Sequence, residues 1–162
     1  MVAVVRKMGQ VSFSDLMEIY AESNLDTARE QWPELSQAEG LCRAEMEFYQ
    51  YLRQDFFTQG DSFYVLALAG KKPVAAARME RWRDGWLLEG LETHPDHRGR
   101  GYGTEVLAAA VAEVTETVYA HVKRSNLPSL RVHEKCGFHM TQTTAMVDGS
   151  YLPGFVTMKL ER

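Results

Sequence analysis

The stretch from Trp86 to Val114 reads WLLEGLETHPDHRGRGYGTEVLAAAVAEV, and it decides which fold the chain can adopt. An apolar run ends at Pro95, a short turn carries glycines at 99, 101 and 103, and an amphipathic segment follows. Glycines let a backbone turn tightly with its N–H groups pointing one way. The first turn of a helix adds unpaired N–H donors and the positive end of the helix dipole. The stretch therefore predicts an anion site, most often one for a phosphate.

The spacing of these glycines narrows the choice of ligand. Glycines at every second position match neither the dinucleotide fingerprint G-x-G-x-x-G nor the P-loop G-x-x-x-x-G-K-[ST]. The pattern Arg98-x-x-Gly101-x-Gly103 instead resembles the acyl-CoA signature (Q/R-x-x-G-x-G/A) of the GCN5-related N-acetyltransferase (GNAT) family. The alternative is a strand-to-helix turn that is rich in glycine for local reasons alone.

A second motif lies nearer the C-terminus. Residues 126–138 read NLPSLRVHEKCGF, which resembles the later signature of the same family, N-x-x-A-x-x-L-Y-x-K-x-G-F. The matching positions are Asn126, Lys135, Gly137 and Phe138. Ser129 and Val132 are mild changes, whereas His133 stands where the family commonly has tyrosine. Two motifs at the correct separation strengthen the resemblance, which covers residues 60–160.

Periodicity and turn residues predict the order of the elements. Residues 24–36 lose the helical pattern around Trp32-Pro33 and are expected to form an irregular connection or a broken helix. Strands are expected over 2–7, 62–69, 72–83, 86–93, 117–122, 140–147 and 155–160, and helices over 12–22, 37–57, 106–114 and 126–136. The last two strands are expected to form a hairpin around 148–150.

This order is that of the GNAT family, so the resemblance implies its fold class, α/β (α+β) with the acyl-CoA N-acyltransferase fold. The expected sheet is mixed, mostly antiparallel and six- to seven-stranded, with about four flanking helices. It should be splayed between the fourth and fifth strands. No repeat, low-complexity tract or linker interrupts residues 1–162, which are expected to form a single domain.

Composition restricts the partners. A net charge of −4 gives no broad basic surface for nucleic acid. No apolar run approaches the roughly 20 residues of a membrane span, and no signal peptide opens the chain. Cys42 and Cys136 are too sparse for a disulfide framework, so we expect a cytoplasmic protein. His94-x-x-His97 belongs to the glycine turn and lacks a further ligand in the sequence pattern, so no metal is expected.

The resemblance implies acetyl-CoA as co-substrate and assigns its contacts. The pyrophosphate would be held by the backbone amides of Arg98, Gly99, Arg100, Gly101, Tyr102, Gly103 and Thr104. Both arginines would add charge-assisted contacts through their side chains. The pantetheine arm would run beside Leu91-Glu92-Thr93, where the amide of Leu91 or its neighbour could polarise the thioester carbonyl. Asn126 and Ser129 of the second motif complete the predicted cofactor contacts.

The chemistry also needs a group that removes a proton from the amine, which is mostly protonated at neutral pH. Strand alternation places Leu87, Glu89, Leu91 and Thr93 on one face and Leu88, Gly90 and Glu92 on the other. Glu89 is the predicted base and Glu92 the second choice, while an ion-paired or edge-exposed Glu89 without a catalytic role is the alternative. His133 is the candidate acid for the leaving thiolate, and a surface position on its helix is the alternative.

The sequence thus predicts an acetyl-CoA-dependent N-acetyltransferase that acts by direct attack in a ternary complex. The acceptor is expected to be a primary amine of a small molecule or a peptide, and the family resemblance allows a homodimer. Two alternatives remain open: transfer of another acyl group such as succinyl or propionyl, and a regulatory module that binds acyl-CoA without turnover.

Overall fold

The computed structural model describes residues 1–147 and 149–162. Within them the chain forms nine strands and five α-helices in mixed order. The strands are β1 Val2–Val5, β2 Phe63–Ala69, β3 Lys72–Trp82, β4 Gly85–Thr93, β5 Val118–Lys123, β6 His139–Gln142, β7 Met146–Val147, β8 Ser150–Tyr151 and β9 Phe155–Leu160. The helices are α1 Phe13–Ile19, α2 Ala21–Gln31, α3 Gln37–Gln54, α4 Tyr102–Ala112 and α5 Leu127–Lys135.

Seven of the strands form one mixed sheet in the order β1-β2-β3-β4-β5-β9-β6. Its pairings are antiparallel except that of β4 with β5, which is parallel. Two-residue turns join β2 to β3 and β3 to β4, and positive φ angles at Gly70 (64°) and Arg83 (53°) close them. The predicted fold class and the sheet of six to seven strands are confirmed.

The sheet opens between β4 and β5. Their parallel pairing runs only from Trp86 opposite Val118 to Leu88 opposite Ala120. Beyond Leu88 the two strands part, so β5 does not cover the edge of β4 from Glu89 to Thr93. This is the predicted splay, and it leaves backbone groups of β4 facing a gap.

Each face of the sheet is covered by its own hydrophobic cluster. On the α4 face, Val106, Leu107, Ala110 and Val111 of α4 pack on Ala75, Ala77, Met79 and Leu88. The opposite face is called the α1–α3 face. There, α1 contributes Leu16 and Ile19, and Tyr20 follows at its C-terminal end; these residues pack with Leu52, Tyr64 and Ala76. Consecutive residues of β3 alternate between the clusters, as strand geometry requires.

Two expectations about the elements were wrong. Residues 21–31 form α2, so only Trp32-Pro33 and the residues that follow are irregular before Ser36 caps α3. The C-terminal strand expected over 140–147 is instead β6, which pairs with β9, and β7, which pairs with β8 in a separate two-stranded ribbon. In the turn expected around 148–150, Asp148 lies outside the described residues, while Ser150 belongs to β8.

Candidate active site

The glycine turn leads directly into α4 with its N–H groups free of protein partners. Gly101 is the N-terminal cap of α4 with φ of 88°, and Gly99 has φ of 73°, a region that favours glycine. The first helical hydrogen bond runs from the Glu105 N–H to the Gly101 carbonyl. Within the described residues, no protein acceptor binds the amides of residues 99–104. A Cβ at Gly99 or Gly101 would meet nothing within 4 Å, so the turn borders open space.

These observations fit an anionic ligand such as a pyrophosphate. A row of unpaired amides at the N-terminus of an 11-residue helix supplies donors and a positive dipole end. Gly103 lies against the end of β4, since its added Cβ would sit 3.5 Å from Thr93 Oγ1. The turn is therefore anchored beside the uncovered edge of β4.

The two arginines of the turn differ in their surroundings. The Arg98 Nε donates to the Thr93 carbonyl at 3.1 Å, and its Nη2 lies 2.5 Å from Glu22 Oε2 on α2. The Arg100 side chain is exposed and forms no ion pair within the described part of the chain. A helix that sequence reasoning missed thus engages one of the two predicted phosphate contacts.

A β-bulge in β4 changes which side chains share a face. Arg78 pairs with Glu89 and Ala76 pairs with Glu92, so Gly90 and Leu91 together oppose Ala77. Gly90 has φ of 58°, the left-handed conformation found at such bulges. The strict alternation expected from the sequence is therefore wrong beyond Glu89.

After the bulge, Leu91 packs with the cluster on the α4 face, and Thr93 approaches Gly103 of α4. Glu92 lies opposite Ala76, which belongs to the α1–α3 face. Glu89 and Glu92, predicted to lie on opposite faces, are consequently on the same face, while Leu91 and Thr93 are on the other. The extra residue in the bulge is the cause.

Glu89 belongs to a cluster with residues of β3 and α3. Its Oε2 lies 3.5 Å from Arg78 Nη2, and the side chains are 31% and 19% exposed respectively. The Tyr51 hydroxyl donates to Glu80 Oε2 at 3.3 Å. Burial, reinforced by the neighbouring Glu89 carboxylate, raises the pKa of Glu80. Glu89 is therefore ion-paired, as the alternative to a catalytic role expected, and it is also partly accessible to solvent.

Glu92 is half-buried on the same face as Glu89. Burial raises its pKa to about 7, against the lowering effect of Ser23 and of the Arg98 and Arg78 cations. A carboxyl group with such a pKa is neutral in a large fraction of molecules near pH 7. The bulge thus places a second titratable carboxyl group on the α1–α3 face.

His133 is a buried helix residue, not the surface residue given as its alternative. It is 2% exposed, and its ring packs edge-on against Phe138 with centroids 5.2 Å apart. Its Nδ1 lies 2.8 Å from the Ser129 carbonyl, which can only accept, so Nδ1 carries the proton. Within the described residues Nε2 has no partner, and burial lowers the pKa of the imidazole. The neutral ring therefore offers a lone pair at Nε2.

Asn126 and Ser129 form the start of α5. The Asn126 side-chain oxygen accepts from the Ser129 N–H at 3.1 Å, which is a helix N-cap. Pro128 occupies the first turn, and Gly137 (φ 90°) follows the end of α5. A capping role accounts for the Asn126 oxygen, and the predicted contact of either residue with a cofactor stays a prediction.

Sequence reasoning missed Arg78, Glu80 and Tyr51. Arg78 and Glu80 interrupt an otherwise apolar strand, and charged groups at alternate positions of a buried strand are a signal of a polar site. Tyr51 carries no such signal, because the helical pattern of α3 explains it as a core residue. Its hydrogen bond depends on how α3 crosses β3.

Neither a metal site nor a membrane-spanning helix is found among the described residues. No group of three or more His, Cys, Asp or Glu side chains there is arranged to hold a metal ion. None of the helices described is both long enough and apolar enough to cross a membrane.

The family assignment follows from the sequence match and agrees with this fold. The model of the acetyltransferase (GNAT) family matches residues 15–138, so the chain belongs to that family. The match includes the glycine turn, the bulged strand and the second motif. The comparison with curated proteins found no match.

Solved structures share the fold at low sequence identity. The PaiA N-acetyltransferase from Thermoplasma acidophilum, solved with coenzyme A, is 14% identical with a TM-score of 0.65, over 100% of this chain and 99% of that one. A ribosomal-protein-alanine N-acetyltransferase from Brucella melitensis is 16% identical with a TM-score of 0.62, over 100% and 99%. A GNAT acetyltransferase from Elizabethkingia anophelis with acetyl-CoA bound is 14% identical with a TM-score of 0.56, over 72% and 82%.

Proposed function

We propose that this protein is an N-acetyltransferase that moves the acetyl group of acetyl-CoA to a primary amine by direct attack. The observation that carries the proposal is the row of unpaired amides at residues 99–104, placed beside the uncovered edge of β4. Coenzyme A or acetyl-CoA in the related structures supports the same ligand here. The acceptor is an amine of a small molecule or a peptide, and the proposed location is the cytoplasm.

The chain has groups for each part of acetyl-CoA. The amides of the glycine turn and the exposed Arg100 would bind the pyrophosphate. The edge of β4 from Leu91 to Thr93, which β5 does not cover, would pair with the amide groups of the pantetheine arm. The thioester would then reach the gap between β4 and β5 near the bulge.

Glu89 is the proposed base. It lies at the start of the uncovered part of β4 and is partly open to solvent, whereas burial raises the pKa of Glu92 and disfavours its charged form. Glu89 would take one proton of the ammonium group, and the free amine would then bond to the acetyl carbon while the carbon–sulfur bond breaks. The second proton would leave the new amide nitrogen for solvent. The bonding electrons leave with sulfur as the CoA thiolate. The Leu91 N–H would stabilise the negative charge that develops on the carbonyl oxygen.

The proposed acid role of His133 requires a protonated ring. With Nδ1–H bound to Ser129, only the imidazolium form carries a proton on Nε2, and burial disfavours that form. A thiolate is a good leaving group without help. We therefore propose that His133 helps to hold the start of α5 through its Nδ1–H bond to the Ser129 carbonyl rather than supplying the proton.

The test combines binding and turnover. Calorimetry with acetyl-CoA should show micromolar binding, and a thiol-release assay over a panel of diamines, aminoglycosides and peptides should show release that depends on the amine. Mass spectrometry should find one acetyl group on the acceptor. Binding without release for every amine would indicate an acyl-CoA sensor. Faster release from succinyl-CoA or propionyl-CoA would indicate a different acyltransferase, and absence of binding would overturn the proposal.

The Glu89→Gln variant tests the base. Turnover at neutral pH should fall by about a hundredfold or more because the proton acceptor is removed, while acetyl-CoA affinity stays the same. At high pH more of the amine is already free, so the deficit should shrink. Glu134→Gln is the matched control, since this exposed residue of α5 undergoes the same change of charge. An unchanged pH–rate profile in Glu89→Gln would exclude Glu89 as the base.

A further inference from the structure

Tyr20 reaches from the junction of α1 and α2 to the bulge in β4. The residue is 3% exposed, and its hydroxyl donates to the Gly90 carbonyl at 2.7 Å. The ring is held edge-on against Phe48 of α3, with centroids 5.5 Å apart. A buried, packed ring that donates a short hydrogen bond fixes the position of the carbonyl oxygen that accepts it.

Gly90 fits tightly between two side chains of the α1–α3 face. A Cβ built on it would lie 3.1 Å from Arg78 Nη1 and 3.2 Å from the Tyr20 hydroxyl oxygen. Its φ of 58° is the left-handed conformation, which other residues adopt only with strain. Both the space and the backbone conformation at this position therefore require glycine, and both hold the Gly90–Leu91 peptide in one orientation.

That orientation determines where the Leu91 N–H points. The peptide bond is planar, and the described chain contains no cis bond, so the Gly90 carbonyl and the Leu91 N–H point in opposite directions. Because the carbonyl points at Tyr20 on the α1–α3 face, the N–H points away from that face. The Leu91 side chain also packs on the opposite side, in the α4-face cluster.

We propose that Tyr20 is a positioning residue: by holding the Gly90 carbonyl, it aims the Leu91 amide at the carbonyl oxygen of a thioester bound beside β4. This inference rests on the proposed function, and it adds a residue outside both sequence motifs. It also connects the junction of α1 and α2 to the amide that is proposed to stabilise charge in the reaction. The Arg78 guanidinium lies beside the same position on the α1–α3 face.

The Tyr20→Phe variant tests the inference, because it removes the hydroxyl and keeps the ring. The proposal predicts that kcat falls about tenfold, less than for loss of a whole oxyanion donor, while the acetyl-CoA dissociation constant is unchanged. Tyr119→Phe is the matched control: Tyr119 of β5 is also buried, and its hydroxyl donates to Asp84 Oδ1 at 2.9 Å in the turn between β3 and β4, away from Gly90. Its kcat should stay within about twofold of the native value, well inside the loss expected when an oxyanion donor is disturbed.

A spectroscopic measurement separates positioning from general destabilisation. In the native protein, the Leu91 amide proton should resonate further downfield with acetyl-CoA than with CoA. This difference should disappear in Tyr20→Phe and persist in Tyr119→Phe. A Tyr20→Phe protein with native kcat, or with the native difference at Leu91, would overturn the inference. Absence of turnover and of that difference in the native protein would instead overturn the proposed function.

The Gly90→Ala variant provides an independent approach to the same contact. Its methyl group should displace the Tyr20 hydroxyl, so kcat should fall with Tyr20 still present. If both variants act through the Gly90 carbonyl, combining them should cost no more than the worse single change. Fully multiplicative losses in the double variant would contradict a shared mechanism.

Discussion

At the scale of single residues, one inserted position in β4 decides the character of the site. Gly90 and Leu91 together oppose Ala77, so Glu92 is brought to the face that carries Glu89. Without the bulge, the Glu92 carboxyl group would lie in the apolar cluster under α4, where an unpaired charge is costly. With the bulge, Leu91 packs in the apolar cluster instead, and Glu92 lies near Ser23 and Arg98.

The enclosed Glu92 predicts a pH-dependent stability. Since burial raises its pKa from 4.5 to about 7, the carboxyl group binds a proton on folding between these values. The wild-type free energy of unfolding should therefore decrease as pH rises through this window and level off above it. Glu92→Gln lacks this effect, so its stability relative to wild type should increase by up to about 3 kcal/mol between pH 4 and pH 8.

Urea unfolding of both proteins at several pH values measures this difference. The exposed Glu134→Gln variant serves as the control and should follow the wild-type curve throughout. A stability difference between Glu92→Gln and wild type that is the same at pH 4 and pH 8 would contradict the prediction.

At the scale of elements, α2 shows how packing overrides a weak local signal. Its residues have little helical periodicity, but Ala28 is buried and a Cβ on Gly40 of α3 would lie 3.1 Å from the Ala28 Cβ. Such close contact between two helices stabilises a segment whose own propensity is modest. The capping box of Ser36 and Glu39 then starts α3 at Gln37, four residues after Pro33.

The same helix contacts the proposed phosphate site. Glu22 of α2 pairs with Arg98, and both side chains are half exposed. A phosphate must compete with this carboxylate for the guanidinium group. Glu22→Gln should therefore tighten CoA binding a few-fold at low salt, consistent with the modest strength of exposed pairs, and the gain should shrink at high salt.

Calorimetry at two salt concentrations measures the effect. Glu30→Gln removes the same charge from the exposed surface of α2, where no ion pair with Glu30 is present in the described structure. Equal affinities in the two variants would show that Arg98 is not limited by Glu22.

At the scale of the whole molecule, the splay is set by a short joint between the two parts of the sheet. The Trp86 N–H donates to the Thr117 carbonyl at 3.0 Å, and only three residue pairs connect β4 to β5. Gly85 lies at this joint, and a Cβ there would come within 2.1 Å of the Thr117 oxygen. The strands can approach so closely because residue 85 has no side chain.

Gly85→Ala should therefore destabilise the protein by about 1–3 kcal/mol, since backbone atoms must move to accept the methyl group. Gly9→Ala is the control, because a Cβ at Gly9 meets nothing within 4 Å and its φ is not positive. The control should stay within about 0.5 kcal/mol of wild type. Equal urea midpoints for the two variants would show that the backbone around Gly85 and Thr117 accommodates the added methyl group without loss of stability.

Local signals in the sequence were enough for much of the fold. The glycine turn, the caps of α3 and α5 and the two-residue hairpin turns depend on backbone conformations that neighbouring residues impose. The loop residues 98–104 were predicted for the same reason; within the described residues the amides of 99–104 have no protein acceptor, whereas the Arg98 N–H donates to the Pro95 carbonyl. The order of elements then restricted the topology to the family's mixed sheet.

Long-range packing decided the rest. The bulge that moves Glu92, and the approach of Arg78 and Glu80 to Glu89, depend on how β3 pairs with β4. Two hydrogen bonds join residues much further apart in the chain: Tyr51 to Glu80 and Tyr20 to Gly90. The pairing of β6 with β9 and the Arg98–Glu22 contact are of the same kind. Sequence patterns report local conformational preference, whereas these contacts depend on how helices and strands meet in three dimensions. The position of the glycine turn could therefore be predicted from local sequence signals. The side chains that gather on the α1–α3 face of β4 were determined by the tertiary structure.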